Sequence, residues 1–227
     1  MLFRSEDVAE KAPNRFAEKA ILQAARIYFF EQKKYAEAEA YYGKLKQITA
    51  NQENRLEAMR GLLRSQYQQQ KWSEAEENAK ELVSLKGSST DDKALANMAI
   101  AKSYQVEGQY DLAIANYKSV VTLNKAALAA EARYEIANSW FAVNKLSDAE
   151  KAAFEVINKS GSYDFWVTKA YILLGDVYFR QKDYFNAKAT FQSIVENTIV
   201  PEFKNEAQEK LNKVIEEESK NSKVGGN

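Results

Sequence analysis

The side chains with chemical reach in this 227-residue chain are arginine, lysine, aspartate, glutamate and the aromatics, because the sequence holds no histidine and no cysteine. Without histidine the usual general base near neutral pH and the commonest metal ligand are missing, which excludes catalytic triads and histidine-ligated zinc. Without cysteine there is no thiol nucleophile, disulfide or thiolate zinc site. Neighbouring carboxylates such as Glu37 with Glu39, or Glu76 with Glu77, have the spacing of solvated helix-surface residues, so no acid/base pair is assigned. No serine is followed three residues later by a lysine, and there is neither a glycine-rich phosphate loop nor a DxDxDG loop. Asn158-Lys159-Ser160 fits a glycosylation triplet, a pattern frequent by chance. What remains is recognition chemistry: cations at Arg60, Arg64 and Lys102 that suit a carboxylate, and recurrent aromatics that suit apolar side chains. No catalytic, cofactor-binding or metal-ligating residue is assigned, and the chain is read as a non-enzyme.

Composition narrows the class further. Basic and acidic residues balance at 32 each, which lacks the cationic surplus that displaces phosphate counterions, so no nucleic-acid partner is expected. The 12% aromatic content supplies a core that a disordered chain lacks, and only 2 prolines in the chain suit long helices. No apolar run reaches the about 18 residues needed for a membrane span. The compartment stays open: Met1 to Asp7 lacks a secretory apolar core, and an upstream segment, if one exists, favours the periplasm or cell envelope over the cytoplasm.

Positioning those side chains requires regular elements, and the elements repeat. Ala38, Ala75, Ala113, Ala149 and Ala187 recur at spacings of 37, 38, 36 and 38. Three residues before each stands Tyr35, Trp72, Tyr110, Leu146 or Tyr184, and seven after each stands Leu45, Leu82, Val120, Val156 or Ile194. Upstream, Ala25, Leu62, Ile100, Ile136 and Leu174 are followed four residues later by Phe29, Gln66, Tyr104, Trp140 and Tyr178, one face of a preceding helix. The position after the first of these holds Arg26, Leu63, Ala101, Ala137 and Gly175, small in the last three units. Each unit reads as helix, short turn, helix, with Gly108 and Asn144 suited to left-handed turn conformations. Ser73 with Glu76 and Ser147 with Glu150 have capping-box spacing near the start of second helices.

Tyr171-x2-Leu174-Gly175-x2-Tyr178, followed by Tyr184, Ala187, Phe191 and Pro201, resembles the tetratricopeptide repeat, and Ile100-Ala101-x2-Tyr104 with Gly108, Tyr110, Ala113 and Tyr117 matches nearly as well. Gln66, Ala79, Ala153 and Arg26 depart from the pattern. The resemblance implies an all-α fold, a right-handed superhelical solenoid of helix-turn-helix repeats with a C-terminal capping helix. The repeat spacing exceeds the family's usual length, as in bacterial cell-envelope members; segment 1–18, read as the remains of an upstream helix, makes the chain the C-terminal part of a longer array.

Three further columns share one face of the first helices. They are Gln23, Arg60, Met98, Tyr134 and Ile172; Ile27, Arg64, Lys102, Asn138 and Asp176; and Phe30, Tyr67, Gln105, Phe141 and Phe179. In tetratricopeptide proteins that grip peptides these places line the concave groove, so the resemblance implies a protein or peptide partner held there. The lysine and asparagine pairing of the chaperone-tail carboxylate clamp is not reproduced. The expected role is an adaptor or scaffold; the alternative is a structural spacer or oligomerisation element of an envelope assembly, with the oligomeric state open.

The expected domains are an N-terminal segment 1–18, a candidate remnant of an upstream repeat; five repeats over 19–200 (19–55, 56–93, 94–129, 130–167, 168–200); a cap at 201–219; and a disordered tail, 220–227. The cap rests on Phe203, Ala207, Leu211, Val214 and Ile215 at helical spacing after Pro201.

Overall fold

The computed structural model describes residues 16–224, and every regular element among them is helical. The helices are α1 (Ala17–Arg26, continued by a π turn over Ile27–Glu31), α2 (Tyr35–Ile48), α3 (Gln52–Gln68), α4 (Trp72–Ser84), α5 (Thr90–Val106) and α6 (Tyr110–Leu123). They continue as α7 (Ala127–Ala142), α8 (Leu146–Lys159), α9 (Asp164–Arg180), α10 (Tyr184–Asn197) and α11 (Pro201–Val224). The chain divides into two compact units, Met1–Leu123 and Asn124–Asn227. The first holds three helix pairs, α1 to α6; the second holds two pairs, α7 to α10, and then α11. Inside each unit every helix packs on the next along the chain, and the first helix of a pair also touches the first helix of the pair that follows.

Alanine makes this packing possible. The register alanines Ala38, Ala75, Ala113, Ala149 and Ala187 are all fully buried, and so is a second column at Ala58, Ala96, Ala132 and Ala170. Methyl side chains let the helix backbones approach closely, and large side chains then fill the space beside them. Tyr42, Tyr117 and Phe191 do so and are themselves buried. The Tyr42 ring lies against Gly61 and the Phe191 ring against Gly175. Tyr117 donates to Gln105 Oε1 at 2.6 Å, so its buried hydroxyl is satisfied. Where the aromatic column falls to Ala79 and Ala153, the volume comes from the first helices: Met59 and Leu63 pack against Ala79, and Leu173 and Leu174 against Ala153.

One turn geometry serves all five pairs. Lys33, Gln70, Gly108, Asn144 and Lys182, each five residues before its register alanine, have φ between 53° and 76°. The following N–H closes the turn onto the first helix: Lys71 to the Gln66 carbonyl at 3.0 Å, Gln109 to Tyr104 at 2.8 Å, Lys145 to Trp140 at 2.9 Å and Asp183 to Tyr178 at 2.9 Å. Gly108 and Asn144 were expected there; Lys33, Gln70 and Lys182 take the same conformation although their Cβ disfavours it.

The first pair differs by one residue. Its closing bond runs from Lys34 to the Tyr28 carbonyl at 2.9 Å, six residues back where the others reach five, and Gln32 bonds the Ile27 carbonyl at 3.0 Å. This π turn inserts a residue and slips the register of everything before it. The small residue of the first pair is therefore Ala25, which packs with Ala38 and Tyr42, and not Arg26.

Other local expectations are corrected as well. Ser73 and Ser147 cap nothing, because α4 and α8 start at Trp72 and Leu146 and their N-caps are Lys71 and Lys145 without side-chain bonds. The capping box forms at Ser89 with Asp92, at the start of α5. The first helices begin three or four residues ahead of the expected boundaries 56, 94, 130 and 168, since their opening turns are polar and carry no column signal. The last helix passes the expected end at 219 and runs to Val224, held by Lys220 to Glu216 at 2.7 Å and by Asn221 to the Tyr184 hydroxyl at 2.8 Å. Residues 225–227 of the expected tail, and 1–15 of the expected N-terminal segment, lie outside the described residues, while Ala17 and Glu18 already belong to α1.

A Cβ added at Gly175 meets the Phe191 ring at 2.6 Å. Gly175→Ala should therefore lower the urea midpoint by about 1–3 kcal/mol of stability, against the usual gain of a helical alanine, and Gly175→Ala with Phe191→Leu should recover part of it.

Candidate functional site

In the first unit the π turn displaces the first row of the expected face. Ile27 is buried and Gln23 is exposed, so neither sits where the later columns do. The side chains in that place are Leu22, Arg26 and Phe29. Phe29 packs on Tyr35 at 5.3 Å as Tyr67 packs on Trp72 at 5.1 Å, whereas Phe30 is the added residue and stands 60% exposed. The clue was in the sequence: Arg26 broke the small-residue column, and a shift by one puts Ala25 there.

The expected positive centre is also smaller than its residue types imply. Arg60 donates from Nε and Nη2 to the two carboxylate oxygens of Asp92 at 2.6 and 2.7 Å, a bidentate pair that ties α3 to α5. Burial works against the Asp92 charge, but Arg60 and the Ser89 cap outweigh it and hold the carboxyl below its ordinary range. Arg26 likewise bridges to Glu57 at 2.9 Å, joining α1 to α3. Met98 is fully buried and is core. Arg64 stays exposed, Lys102 and Tyr67 are half-buried, and Gln105 is engaged by Tyr117. Of the three expected cations in this unit, Arg64 is the exposed one.

In the second unit the expected residues converge. Tyr134, Asn138 and Phe141 of α7 meet Ile172 and Asp176 of α9 around a cavity of about 120 Å³, which Lys169, Leu173 and Glu206 complete. Phe179, the remaining expected residue, lies one turn on beside Tyr184, with the Lys213 ammonium 5.6 Å from its ring. The Arg180 guanidinium stacks on Phe141 at 3.9 Å and donates to its carbonyl at 3.2 Å. Lys169 holds its ammonium over three rings, Tyr134 at 4.9 Å, Trp166 at 5.6 Å and Phe165 at 5.7 Å.

Glu206, Lys210 and Lys213 of α11 belong to this face and were missed. Each follows its counterpart Ile172, Asp176 or Phe179 by 34 residues, so α11 lies on α9 as a further first helix. The signal was their four-then-three spacing, passed over because α11 was read for its apolar side alone. Lys210 donates to both oxygens of Asp176, at 2.9 and 2.8 Å. Burial nonetheless dominates and holds the Asp176 carboxyl above its ordinary range despite Lys210. A raised carboxyl in a cavity is one mark of a catalytic acid, but here both oxygens are committed to a lysine on the neighbouring helix. Burial, with the nearby Glu135, Glu206 and Asp176 charges, likewise raises the Tyr134 hydroxyl and keeps it protonated.

The cavity thus offers a phenol, an amide, an ammonium and two carboxylates between aromatic walls, the equipment to hydrogen-bond a peptide backbone and hold one side chain. Among the described residues no group of three acidic side chains is placed to hold a metal ion, and no helix is long and apolar enough to cross a membrane.

The two carboxylates give opposite pH signatures. The native state binds the Asp176 proton more tightly than the unfolded chain does, so that site loses stability as pH rises through the carboxylate range; Asp92 gains it over the same rise. Relative to wild type, Asp176→Asn should be more favourable at about pH 7 than at about pH 3, and Asp92→Asn less favourable at about pH 7 than at about pH 3, both read from urea unfolding.

Two models of the tetratricopeptide repeat match the sequence, at residues 98–164 and 169–197. No curated protein matches the chain in sequence. Among solved structures, YrrB, described as a TPR protein with an unusual peptide-binding site, superposes with a TM-score of 0.60 at 14% identity over 92% of this chain and 100% of its own. BtubC from P. vanneervenii gives 0.59 at 16% identity over 88% and 84% of the two chains. A thermophilic TPR protein of Thermus thermophilus gives 0.56 at 16% over 86% and 99%. Likeness at these identities is likeness of fold, and it agrees with the repeat matches, the helix pairs and their shared turn geometry: the chain has the fold of tetratricopeptide-repeat proteins and carries that repeat at residues 98–164 and 169–197.

Proposed function

We propose that the protein is a non-enzymatic interaction module that holds a peptide or protein segment against the face lined by the first helices of its pairs. The observation that carries the reading is the second unit's cavity, where five side chains chosen from sequence columns alone surround one space. Aromatic walls at Tyr134 and Phe141 supply apolar contact, and Asn138 with Lys169 supplies polar contacts to a bound chain. In the first unit Arg64 presents positive charge on the equivalent helix α3. YrrB, described as a TPR protein with an unusual peptide-binding site, adds a precedent in the same fold.

The packing of α11 bears on the alternative of an oligomerisation element. Phe203, Ala207 and Val214 are buried against α10 and its surroundings, leaving Ile215 as the exposed large apolar side chain among the described residues of that helix.

Peptides selected from a displayed random library on the whole protein should protect backbone amides of α7 and α9 around Asn138 and Asp176 in hydrogen exchange. Asn138→Ala with Phe141→Ala should weaken the selected peptides by about tenfold or more while helix content is unchanged. Equal affinity for the folded variant, with protection on other helices, would overturn the reading.

A further inference from the structure

A larger cavity than that of the peptide face lies elsewhere in the protein. It measures about 540 Å³ and lies in the second unit, between the first two turns of α9, the last turn of α10, the link Thr198–Val200 and the start of α11. It shares no lining residue with the cavity of the peptide face. Its walls are apolar: Phe165, Val167 and Tyr171 from α9, Ile194 from α10, and Phe203 from α11, which packs on Phe165 at 5.3 Å. Phe165 is 54% exposed and Ile199 96% exposed.

The link is where the sequence departs from what folding alone asks. Three links of three residues join a second helix to the next first helix in this chain: Thr49 to Asn51, Asn124 to Ala126, and Thr198 to Val200. In the first, Asn51 accepts from the Glu53 and Asn54 N–H groups and Thr49 donates to Glu18, so the polar residues cap and fasten the helices. In the second, Asn124 accepts from the Ala126 N–H at 2.8 Å and the middle residue is Lys125. In the third Thr198 accepts from the Val200 N–H at 3.3 Å in the same way, but the middle residue is Ile199. At 96% exposure the isoleucine side chain gains no burial from the fold. A local rule broken without local gain points to function.

The charge on the lining selects the occupant. Asp164 is the one formally charged side chain among the lining residues, so the walls carry a carboxylate and no cation. Thr168, Ser193, Asn197 and Thr198 supply a polar rim around the apolar floor, the anatomy of a protein-binding patch. We propose that this cleft is a second docking site, for a partner polypeptide segment that presents a few apolar side chains on one face with a lysine or arginine beside them to meet Asp164.

The probe is a 14-residue amphipathic leucine/lysine peptide, compared with its leucine/glutamate counterpart and with laurate, on the whole protein. The leucine/lysine peptide should bind about tenfold or more tightly than the leucine/glutamate one and protect amides of 164–171 and 193–203 in hydrogen exchange. Ile199→Lys, at a position whose side chain touches nothing the fold needs, should weaken it about tenfold or more, and Asp164→Asn should narrow its advantage over the glutamate peptide. Equal binding of the two peptides, protection confined to α7 and the peptide face, indifference to Ile199→Lys, or occupation by laurate where the peptide fails would each overturn the proposal. Because the two cavities share no residue, loss of binding at one leaves the other reading standing.

Discussion

Close approach of helices is the constraint on which the rest of this structure depends. Two helices pack side by side at short range only where neither puts bulk between them, and in this chain the register alanines hold that place in all five pairs. Everything larger is then arranged around the alanines. A buried aromatic in one helix demands a glycine or alanine opposite, as Tyr42 does of Gly61 and Phe191 of Gly175. Where the aromatic is missing, leucine and methionine on the partner helix restore the volume. The repeat is conserved packing volume more than conserved residue identity, and that is why Gln66 or Ala79 can break the pattern without breaking the fold.

The turn is the second constraint, and it explains what the helix faces present. A left-handed residue five positions before each alanine lets the chain reverse after a fixed number of residues, so the same face of each first helix comes forward. The π turn of the first pair is the exception that shows the rule: one extra residue turns Arg26 outward in place of Ile27 and leaves Phe30 exposed, while the helices still pack on Ala38. Register is decided where the hydrogen bonds close, not where the residue count starts.

Electrostatics then divides the polar side chains between holding and recognising. Arg60 with Asp92, Arg26 with Glu57, and Lys210 with Asp176 each join a first helix to the next one along, so charges that look available for a partner are part of the scaffold. The Asp176 pair carries a residual burial penalty that its lysine does not cover. Charged residues on this face therefore set the relation of neighbouring pairs.

By itself the sequence determined the helix class, the pairing of helices and the alanine register, because those follow from periodicities that each residue type expresses locally. It also placed Tyr134, Asn138, Phe141, Ile172 and Asp176 together, since columns with a common phase must converge when equivalent helices stack. Tertiary structure decided the remainder. Whether Arg60 is free or spent depends on Asp92, 32 residues away. Whether Met98 faces a partner or the core depends on the neighbouring pair. The slip that exchanges Gln23, Ile27 and Phe30 for Leu22, Arg26 and Phe29 depends on which carbonyl Lys34 closes upon. The part played by α11, and the cleft beside Ile199, arise only when three separate segments meet. Periodicity is a property of one helix and can be read along the chain; occupancy of a surface is a property of what packs against it, and the chain order does not contain that.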